Sequence, residues 1–159
     1  TTVIFINQIR LKIGVMFEVP AAFFISHKMM SEIDFCSIGS NDLTQYVLAV
    51  DRNNSNISDI YDPLHPAVLQ MIKHLTKNCA KVSMPLELCG EMASDPDGSV
   101  ILVGLGLRQL SMSASLIPLV KERMSMFTLA EAEEIADFAL NEAASAMEVR
   151  QKISRFHMC

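Results

Sequence analysis

Residues 12–42 read KIGVMFEVPAAFFISHKMMSEIDFCSIGSND, and this stretch decides the fold. It contains two short apolar runs, Lys12–Glu18 and Asp34–Ile38, and each run leads directly into polar residues. Between the two runs, Pro20 marks a helix start, so we predict a helix over Ala21–Ser31. A strand, a helix and a second strand of these lengths form a βα unit, whose strands pair in parallel.

The same alternation of short strands and helices continues along the chain. Gly39 and Asn41 indicate a turn, and a long polar connection follows at Asp51–Pro63. Thr128 and Glu131 form a capping box, from which we predict one long helix ending near Phe156. The remaining predicted elements are strands at Pro85–Cys89 and Gln109–Ser113 and helices at Pro66–Lys81, Asp97–Leu105 and Leu116–Met124.

Four βα units predict an α/β fold. A complete (β/α)8 barrel of the TIM type needs about 250 residues, so four units in 159 residues indicate half of such a barrel. An open flavodoxin-like sheet is the alternative that length alone favours. Four parallel strands leave two open edges and an apolar inner face, and we therefore expect two copies of the chain to associate.

Composition excludes several classes of protein. Half of the residues are hydrophobic, 19% are charged, and the formal net charge is -5. This balance is typical of one globular domain and argues against a nucleic-acid surface. The apolar stretches are too short or too broken to span a membrane. The chain begins without an initiator methionine, and we expect it to be part of a longer protein.

The spacing of the cysteines matches neither a zinc site nor a redox pair. They stand at Cys36, Cys79, Cys89 and Cys159, so reduced thiols in the cytoplasm are the simplest interpretation. The four histidines show no metal-binding spacing and no catalytic triad. We interpret His27 and His74 as helix-surface residues and His65 as structural.

Polar side chains stand at the carboxyl ends of the predicted strands, which is where sites assemble in parallel α/β proteins. They are Glu18, Asn41, Asp42 and Cys89. Glu18 and Asp42 follow neighbouring strands, and two such carboxylates suit Mg²⁺. Alternatively, Glu18 interacts with the dipole of the next helix and Asp42 belongs to an Asx turn.

Two further residues are candidates for phosphate chemistry. Arg52 has the planar guanidinium that binds two phosphate oxygens at once, although an ion pair with Asp51 or Asp59 is the alternative. Cys89 precedes Gly90, where a thiol serves as an acid or a nucleophile, although a buried structural cysteine is the commoner case. Cys36, inside its strand, is the better candidate for that structural role.

Five longer strings carry a family resemblance. They are GVMFEVPAA, DFCSIGSNDLTQYVLAVDRNN, IYDPLHPAVL, LCGEMASDP and GLGLRQLSMSAS, and together they span roughly residues 12–156. They resemble the enzyme I family of bacterial phosphoenolpyruvate:sugar phosphotransferase systems, with VDRNN and IYDPLHP most similar to its nitrogen-regulatory branch. The resemblance places this chain among the phosphoenolpyruvate (PEP)-utilising enzymes. It does not explain the first eight residues.

The resemblance implies a fold and a set of residue roles. Residues 12–157 would be the C-terminal half of a PEP-binding (β/α)8 barrel that dimerises, and residues 1–11 a lead-in of uncertain origin. Glu18 and Asp42 would be Mg²⁺ ligands, Asn41, Asp42 and Arg52 would hold the PEP phosphate, and Cys89 would protonate the enolate of pyruvate.

The resemblance also implies the reaction and its partners. The whole cytoplasmic enzyme would pass phosphate from PEP to a histidine of its own N-terminal domain, and then to an HPr-like carrier protein. None of the histidines here matches that phosphohistidine motif. Other phosphate-binding arginines of the family lie on the first half of the barrel, so we expect this chain alone to transfer no phosphate.

Two other functions remain open at this point. One is a Mg²⁺-dependent lyase or aldolase acting through a pyruvate enolate, which would share the Glu18 and Asp42 pair but would tolerate Cys89→Ala. The other is a half-barrel without catalysis that serves as a dimerisation or regulatory module.

Overall fold

The computed structural model describes residues 5–7, 10–54, 57 and 60–156, with side chains from residue 12 onward. Strands β1 (Phe5–Asn7) and β2 (Arg10–Lys12) form an antiparallel pair. Every apolar run predicted as a strand is confirmed, and these four strands form one parallel sheet. They are β3 (Gly14–Phe17), β4 (Phe35–Gly39), β5 (Leu86–Cys89) and β6 (Leu110–Ser111).

Eight α-helices accompany these strands within the described residues. The helix predicted over Pro66–Lys81 is confirmed with the same bounds. A single 3₁₀ turn, Ala114–Leu116, precedes the sixth helix. The helices are α1 (Pro20–Met29), α2 (Ser40–Leu48), α3 (Pro66–Lys81), α4 (Glu91–Ser94), α5 (Pro96–Gly104), α6 (Ile117–Ser125), α7 (Leu129–Asn141) and α8 (Ala146–Arg155).

The strand order is β3-β4-β5-β6, which is also their order along the chain. A flavodoxin-like sheet reverses its strand order after the first strands, and the four strands described here show no such reversal. Right-handed crossovers between successive neighbouring strands place the connecting helices on one face of the sheet. Within the described part of the chain the sheet stays open at β3 and β6.

The two faces of the sheet differ in chemistry. Phe17, Ile38 and Leu88 lie side by side in the register and are fully buried. Phe17 also meets Phe23 of α1 edge-on, with ring centroids 5.6 Å apart, so this face packs against the helices. The neighbouring row on the opposite face contains Met16, Ser37 and Glu87. The inner face expected to be apolar is therefore mixed, with polar and apolar side chains in one row.

The prediction of one long C-terminal helix is also wrong. The chain leaves the helix after Asn141 and starts α8 at Ala146, with Ser145 as its N-cap. The Ser145 hydroxyl accepts the Glu148 amide, and Glu148 in turn accepts the amide of residue 144. This reciprocal capping makes a new helix start favourable. If the helix continued without a break, its spacing would place Met147 toward the core. With the new helix start, Met147 is 69% exposed.

The segment predicted as a turn at Gly39–Asp42 is the start of α2. Gly39 caps this helix, and its first turn contains Ser40, Asn41 and Asp42. The helix therefore begins directly at the end of β4, with no intervening loop. Three polar residues thereby gain fixed backbone positions at the carboxyl edge of the sheet.

In the described part of the chain, no helix combines the length and the apolar character that crossing a membrane requires.

Candidate active site

One cavity, at the carboxyl edge of the sheet, gathers every residue predicted for the site. Its volume is about 160 Å³. The strand register explains the convergence, because Phe17 pairs with Ile38 and Gly39 pairs with Cys89, so the ends of β3, β4 and β5 lie in one line. The residues lining it are Glu18, Gly39, Ser40, Asn41, Asp42, Arg52, Cys89 and Gly90.

Glu18 extends across the backbone of the neighbouring strand. A Cβ atom added to Gly39 would lie 2.5 Å from the Glu18 Oε1 atom, so the absence of a side chain at Gly39 makes room for this carboxylate. Asp42 lies in the first turn of α2 and lines the same cavity. The structure thus brings both predicted carboxylates to one site from neighbouring strand ends.

Asn41 is held by two hydrogen bonds from other parts of the chain. Its Oδ1 atom accepts the backbone N–H of Glu91 at 3.0 Å. Its backbone carbonyl accepts the Tyr61 hydroxyl at 3.0 Å. Because the amide oxygen faces α4, the amide nitrogen is the end of this side chain that can donate to a phosphate oxygen.

Ser40 and Gly90 form a tight contact that the sequence did not reveal. The Ser40 hydroxyl is buried and donates to the carbonyl of Cys89 at 3.0 Å, which joins α2 to the end of β5. A Cβ atom on Gly90 would lie 2.3 Å from the Ser40 Oγ atom. Gly90 also has φ 120° and ψ -175°, a conformation that is essentially restricted to glycine.

The Cys89 thiol faces the cavity from the mixed face of the sheet. It donates to the carbonyl of Ile38 at 3.5 Å and accepts the Ser37 hydroxyl at 3.8 Å. The alternative of a fully buried structural cysteine does not describe it, because Cys89 is only partly buried. Cys36, in contrast, is 1% exposed, which confirms its expected burial inside β4.

Arg52 is exposed in the turn after α2 and lines the cavity beside Asn41. Burial raises the pKa of the nearby Tyr61 hydroxyl above its ordinary value, and the negative charge of Glu91 raises it further. The guanidinium of Arg52 opposes this shift, which places its positive charge close to Tyr61. Asp51, one alternative partner of Arg52, instead accepts the backbone N–H of Asn53. The other, Asp59, lies outside the described residues.

No described histidine lines this cavity. His65 caps α3, because its Nδ1 atom accepts the Ala67 amide at 3.1 Å, and its structural interpretation is confirmed. His27 and His74 are exposed on helices, as predicted. His157 lies outside the described residues.

The carboxylate pair fits a magnesium ion better than a cation that requires a complete protein cage. The described residues contain no cluster of three or more histidine, cysteine or acidic side chains suited to a metal. Mg²⁺ commonly binds one or two protein carboxylates and completes its octahedron with water and substrate oxygens. Glu18 and Asp42, which line one small cavity, are two carboxylates of the kind that this coordination uses.

Comparison with known proteins gives a consistent result. The model of the family described as "PEP-utilising enzyme, PEP-binding domain" matches residues 4–129. A protein of Salmonella typhimurium named phosphoenolpyruvate-dependent phosphotransferase system is 44% identical over 145 residues, which cover 91% of this chain and 19% of that protein.

Two proteins named phosphoenolpyruvate-protein phosphotransferase are also similar. The one from Borreliella burgdorferi is 46% identical over 131 residues, covering 82% of this chain and 23% of the relative. The one from Buchnera aphidicola subsp. Baizongia pistaciae is 40% identical over 147 residues, covering 92% of this chain and 25% of the relative. This chain thus spans about a fifth to a quarter of the length of these relatives. It belongs to the PEP-binding domain family of the PEP-utilising enzymes.

Proposed function

We propose that this chain is the part of a PEP-binding barrel that supplies the metal ligands and the proton donor of a phosphoenolpyruvate-protein phosphotransferase. The observation that carries the proposal is one cavity. Glu18, Asn41, Asp42, Arg52 and Cys89 come from three strand ends and a following turn, and all of them line it. A metal-binding pair, a phosphate-binding pair and a thiol are the groups that this chemistry requires.

The architecture supports assignment to the C-terminal half of a (β/α)8 barrel. Parallel strands in sequential order and a helix-covered apolar face are the features of one segment of such a barrel. Sites in these barrels form at the carboxyl ends of the strands, which is where the cavity lies. The other four strands would pair with the open edges at β3 and β6.

Glu18 and Asp42 would hold Mg²⁺, which supplies a positive charge that neutralises the developing negative charge of the reacting phosphate and enolate. Asn41 would donate its amide N–H groups to a phosphate oxygen, and Arg52 would bind the phosphate through its guanidinium. Together these residues would orient PEP over the end of β5. The first turn of α2 adds backbone N–H groups at the same point.

Cys89 would act once the phosphoryl group has left. The bond between phosphorus and the enolate oxygen breaks, and the thiol proton then transfers to the methylene carbon, which yields pyruvate. The contact of the Cys89 thiol with the Ile38 carbonyl keeps the S–H group in this region of the cavity. A Mg²⁺-dependent lyase would need the carboxylates but not this proton donor.

The phosphoryl acceptor would lie elsewhere in the protein. No histidine lines the cavity within the described residues, and the relatives are four to five times as long as the aligned segment. We propose that a histidine of another domain accepts the phosphate and passes it to an HPr-like carrier in the cytoplasm. The enzyme would act as a homodimer, and the present chain alone would bind PEP without transferring its phosphate.

A thermal melt of the 159-residue chain tests the metal and phosphate site. Mg²⁺ and PEP at about 100 times the dissociation constant add roughly 2.7 kcal/mol to the stability of a folded binding site. We expect an upward shift of Tm that requires both Mg²⁺ and PEP. Asp42→Asn removes one metal ligand at nearly constant volume, so the shift should disappear.

Asp137→Asn is the matched control, because it makes the same change of charge on an exposed position of α7. This variant should retain the full shift. A cooperative melt without any shift in the wild-type chain would contradict the proposal and favour a half-barrel that serves only for dimerisation or regulation.

A further inference from the structure

The connection that follows α2 returns to the cavity at Tyr61. The Tyr61 hydroxyl donates to the backbone carbonyl of Asn41 at 3.0 Å, in the first turn of α2. The Asn41 side chain in turn accepts the Glu91 N–H at 3.0 Å. Tyr61 therefore connects the far end of the connection to the residue proposed to bind phosphate.

The next residue along the chain is fastened to α8. Arg150 binds both carboxylate oxygens of Asp62, with its Nε atom 2.9 Å from Oδ2 and an Nη atom 3.0 Å from Oδ1. Its other Nη atom lies 3.2 Å from the carboxylate of Asp95, the N-cap of α5. Bidentate pairing of this kind fixes direction as well as distance.

The Arg150 guanidinium keeps its positive charge in this cluster. Hydrogen bonding to Asp62 raises the pKa of Arg150 above its already high ordinary value, against the opposing effect of partial burial. Asp62 also accepts the Leu64 amide at 2.9 Å, so the same carboxylate shapes the turn that leads into α3. The segment holding Tyr61 is thus anchored on one side by α8 and on the other by α3.

We propose that Tyr61 is a positioning residue for the phosphate-binding side of the cavity, and that Arg150 holds it in place through Asp62 and Asp95. That the ligand is PEP is taken from the proposed function, and the positioning role of Tyr61 rests on it to that extent. Its anchoring helix, α8, lies beyond residues 4–129, which match the family model.

The physical advantage is pre-organisation. Arg52 follows Ala49, which ends α2 with a left-handed φ of 54°, and it is exposed in a turn, where an arginine side chain has many rotamers. Tyr61, at the far end of the same connection, donates its hydroxyl to the Asn41 carbonyl and thereby fixes the Asn41 backbone. A ligand then binds to a phosphate site that is already ordered, so less conformational entropy is lost on binding.

Amide hydrogen exchange measured by NMR tests the positioning without any ligand. The Glu91 N–H bonds to the Asn41 side chain, so its protection reports directly on where that side chain lies. Tyr61→Phe removes only the hydroxyl, and we expect protection of the Glu91 amide to fall about tenfold, as for the loss of one hydrogen bond. Amides in the centre of α3, such as that of Ile72, should be unchanged.

The chain contains one other tyrosine, which provides the matched control. Tyr46 is 55% exposed on α2, so Tyr46→Phe makes the same chemical change away from the cavity. It should leave exchange of the Glu91 amide as in the wild type. Equal protection of this amide in the Tyr61→Phe and Tyr46→Phe variants would overturn the proposal.

Titration calorimetry and Mn²⁺ electron paramagnetic resonance separate positioning from general damage. For Tyr61→Phe we expect the Kd for PEP, at saturating Mg²⁺, to rise about tenfold, while the Kd for Mn²⁺ alone changes less than twofold. Arg150→Gln should give the same pattern, and Arg155→Gln, at the end of the same helix, should give neither change.

The outcomes separate the two proposals. If the Kd values for PEP and Mn²⁺ rise equally in Tyr61→Phe, the residue is merely structural and the positioning proposal is wrong. If the wild-type chain binds no PEP, the proposed function of this chain fails. In that case the exchange of the Glu91 amide still decides whether Tyr61 positions Asn41.

Discussion

Gly90 shows how a single backbone conformation sets the geometry of the cavity. Its φ of 120° turns the chain away from β5 and into α4. This turn brings the Cys89 carbonyl to the Ser40 hydroxyl, and it presents the Glu91 N–H to Asn41. A residue without a side chain thus positions two hydrogen bonds that shape the site.

We expect Gly90→Ala to lower the free energy of unfolding by about 3 kcal/mol or more. The change adds backbone strain of about 1–3 kcal/mol to the cost of a Cβ atom 2.3 Å from a buried, hydrogen-bonded Ser40 hydroxyl. Urea unfolding measures the loss.

Gly106→Ala is the matched control for that measurement. Gly106 also has a positive φ, 103°, but the nearest atom to an added Cβ is a Thr76 methyl carbon at 3.2 Å. The control should therefore show the strain without the severe overlap, and a loss of about 1–2 kcal/mol is expected. Similar losses in both variants would contradict the role given to the contact with Ser40.

The contacts that the sequence did not reveal join residues far apart along the chain. Glu18, Asp42 and Cys89 line one cavity as predicted, because each stands at or just beyond the end of a strand and the ends of parallel strands lie at one edge. Arg150, in contrast, meets Asp62 across 88 positions. Spacing within an element carries no information about such a pair, since it depends on how α8 packs against the remainder of the molecule.

At the level of elements, the break between α7 and α8 has a signal in the sequence, although apolar spacing predicted one continuous helix. Ser145 and Glu148 have the spacing of a capping box, as do Thr128 and Glu131 at the start of α7. Neither glycine nor proline marks the break, so apolar spacing alone extended the helix. The start of α2 was missed for a related reason, since its first turn contains the polar residues that also occur in turns.

We expect Ser145→Ala to lower the free energy of unfolding by about 1 kcal/mol, because it removes an N-cap hydroxyl that accepts the Glu148 amide. Ser154→Ala, on the exposed surface of the same helix, should change it by less than about 0.5 kcal/mol. Chemical denaturation compares the two variants. Equal losses in the two serine variants would contradict the stabilising role given to the Ser145 cap.

At the scale of the whole molecule, the sheet and the helix layer meet at a pair of buried thiols. Cys36 in β4 and Cys79 in α3 are 1% and 2% exposed. The Cys36 thiol donates its S–H to the Cys79 sulfur, which raises the pKa of Cys36 well above its ordinary value, and burial raises it further. Ionisation of this thiol would place a charge between the two layers that form the core.

The Cys36 thiol is predicted to contribute stability that falls as the pH rises, whereas Cys79, whose pKa is lowered by the hydrogen bond it accepts from Cys36, contributes with the opposite sign. Unfolded thiols ionise near pH 8.5, whereas the native Cys36 thiol keeps its proton to higher pH. The native state then binds more protons than the unfolded state, so the free energy of unfolding decreases with pH, by up to about 1.4 kcal/mol per pH unit for one group. The stabilising contribution is complete below pH 8.5 and is lost as the pH rises through the native pKa.

Cys36→Ala tests this prediction through the slope of stability against pH. The variant should be less stable than the wild type at pH 7, because it leaves a cavity, but its free energy of unfolding should fall less steeply between pH 8 and pH 10. Val68→Ala, a truncation of a fully buried side chain on α3, should lower stability at every pH while retaining the wild-type slope. If the free energy of unfolding falls equally steeply with pH in Cys36→Ala and in the wild type, ionisation of the Cys36 thiol does not contribute to the pH dependence of stability.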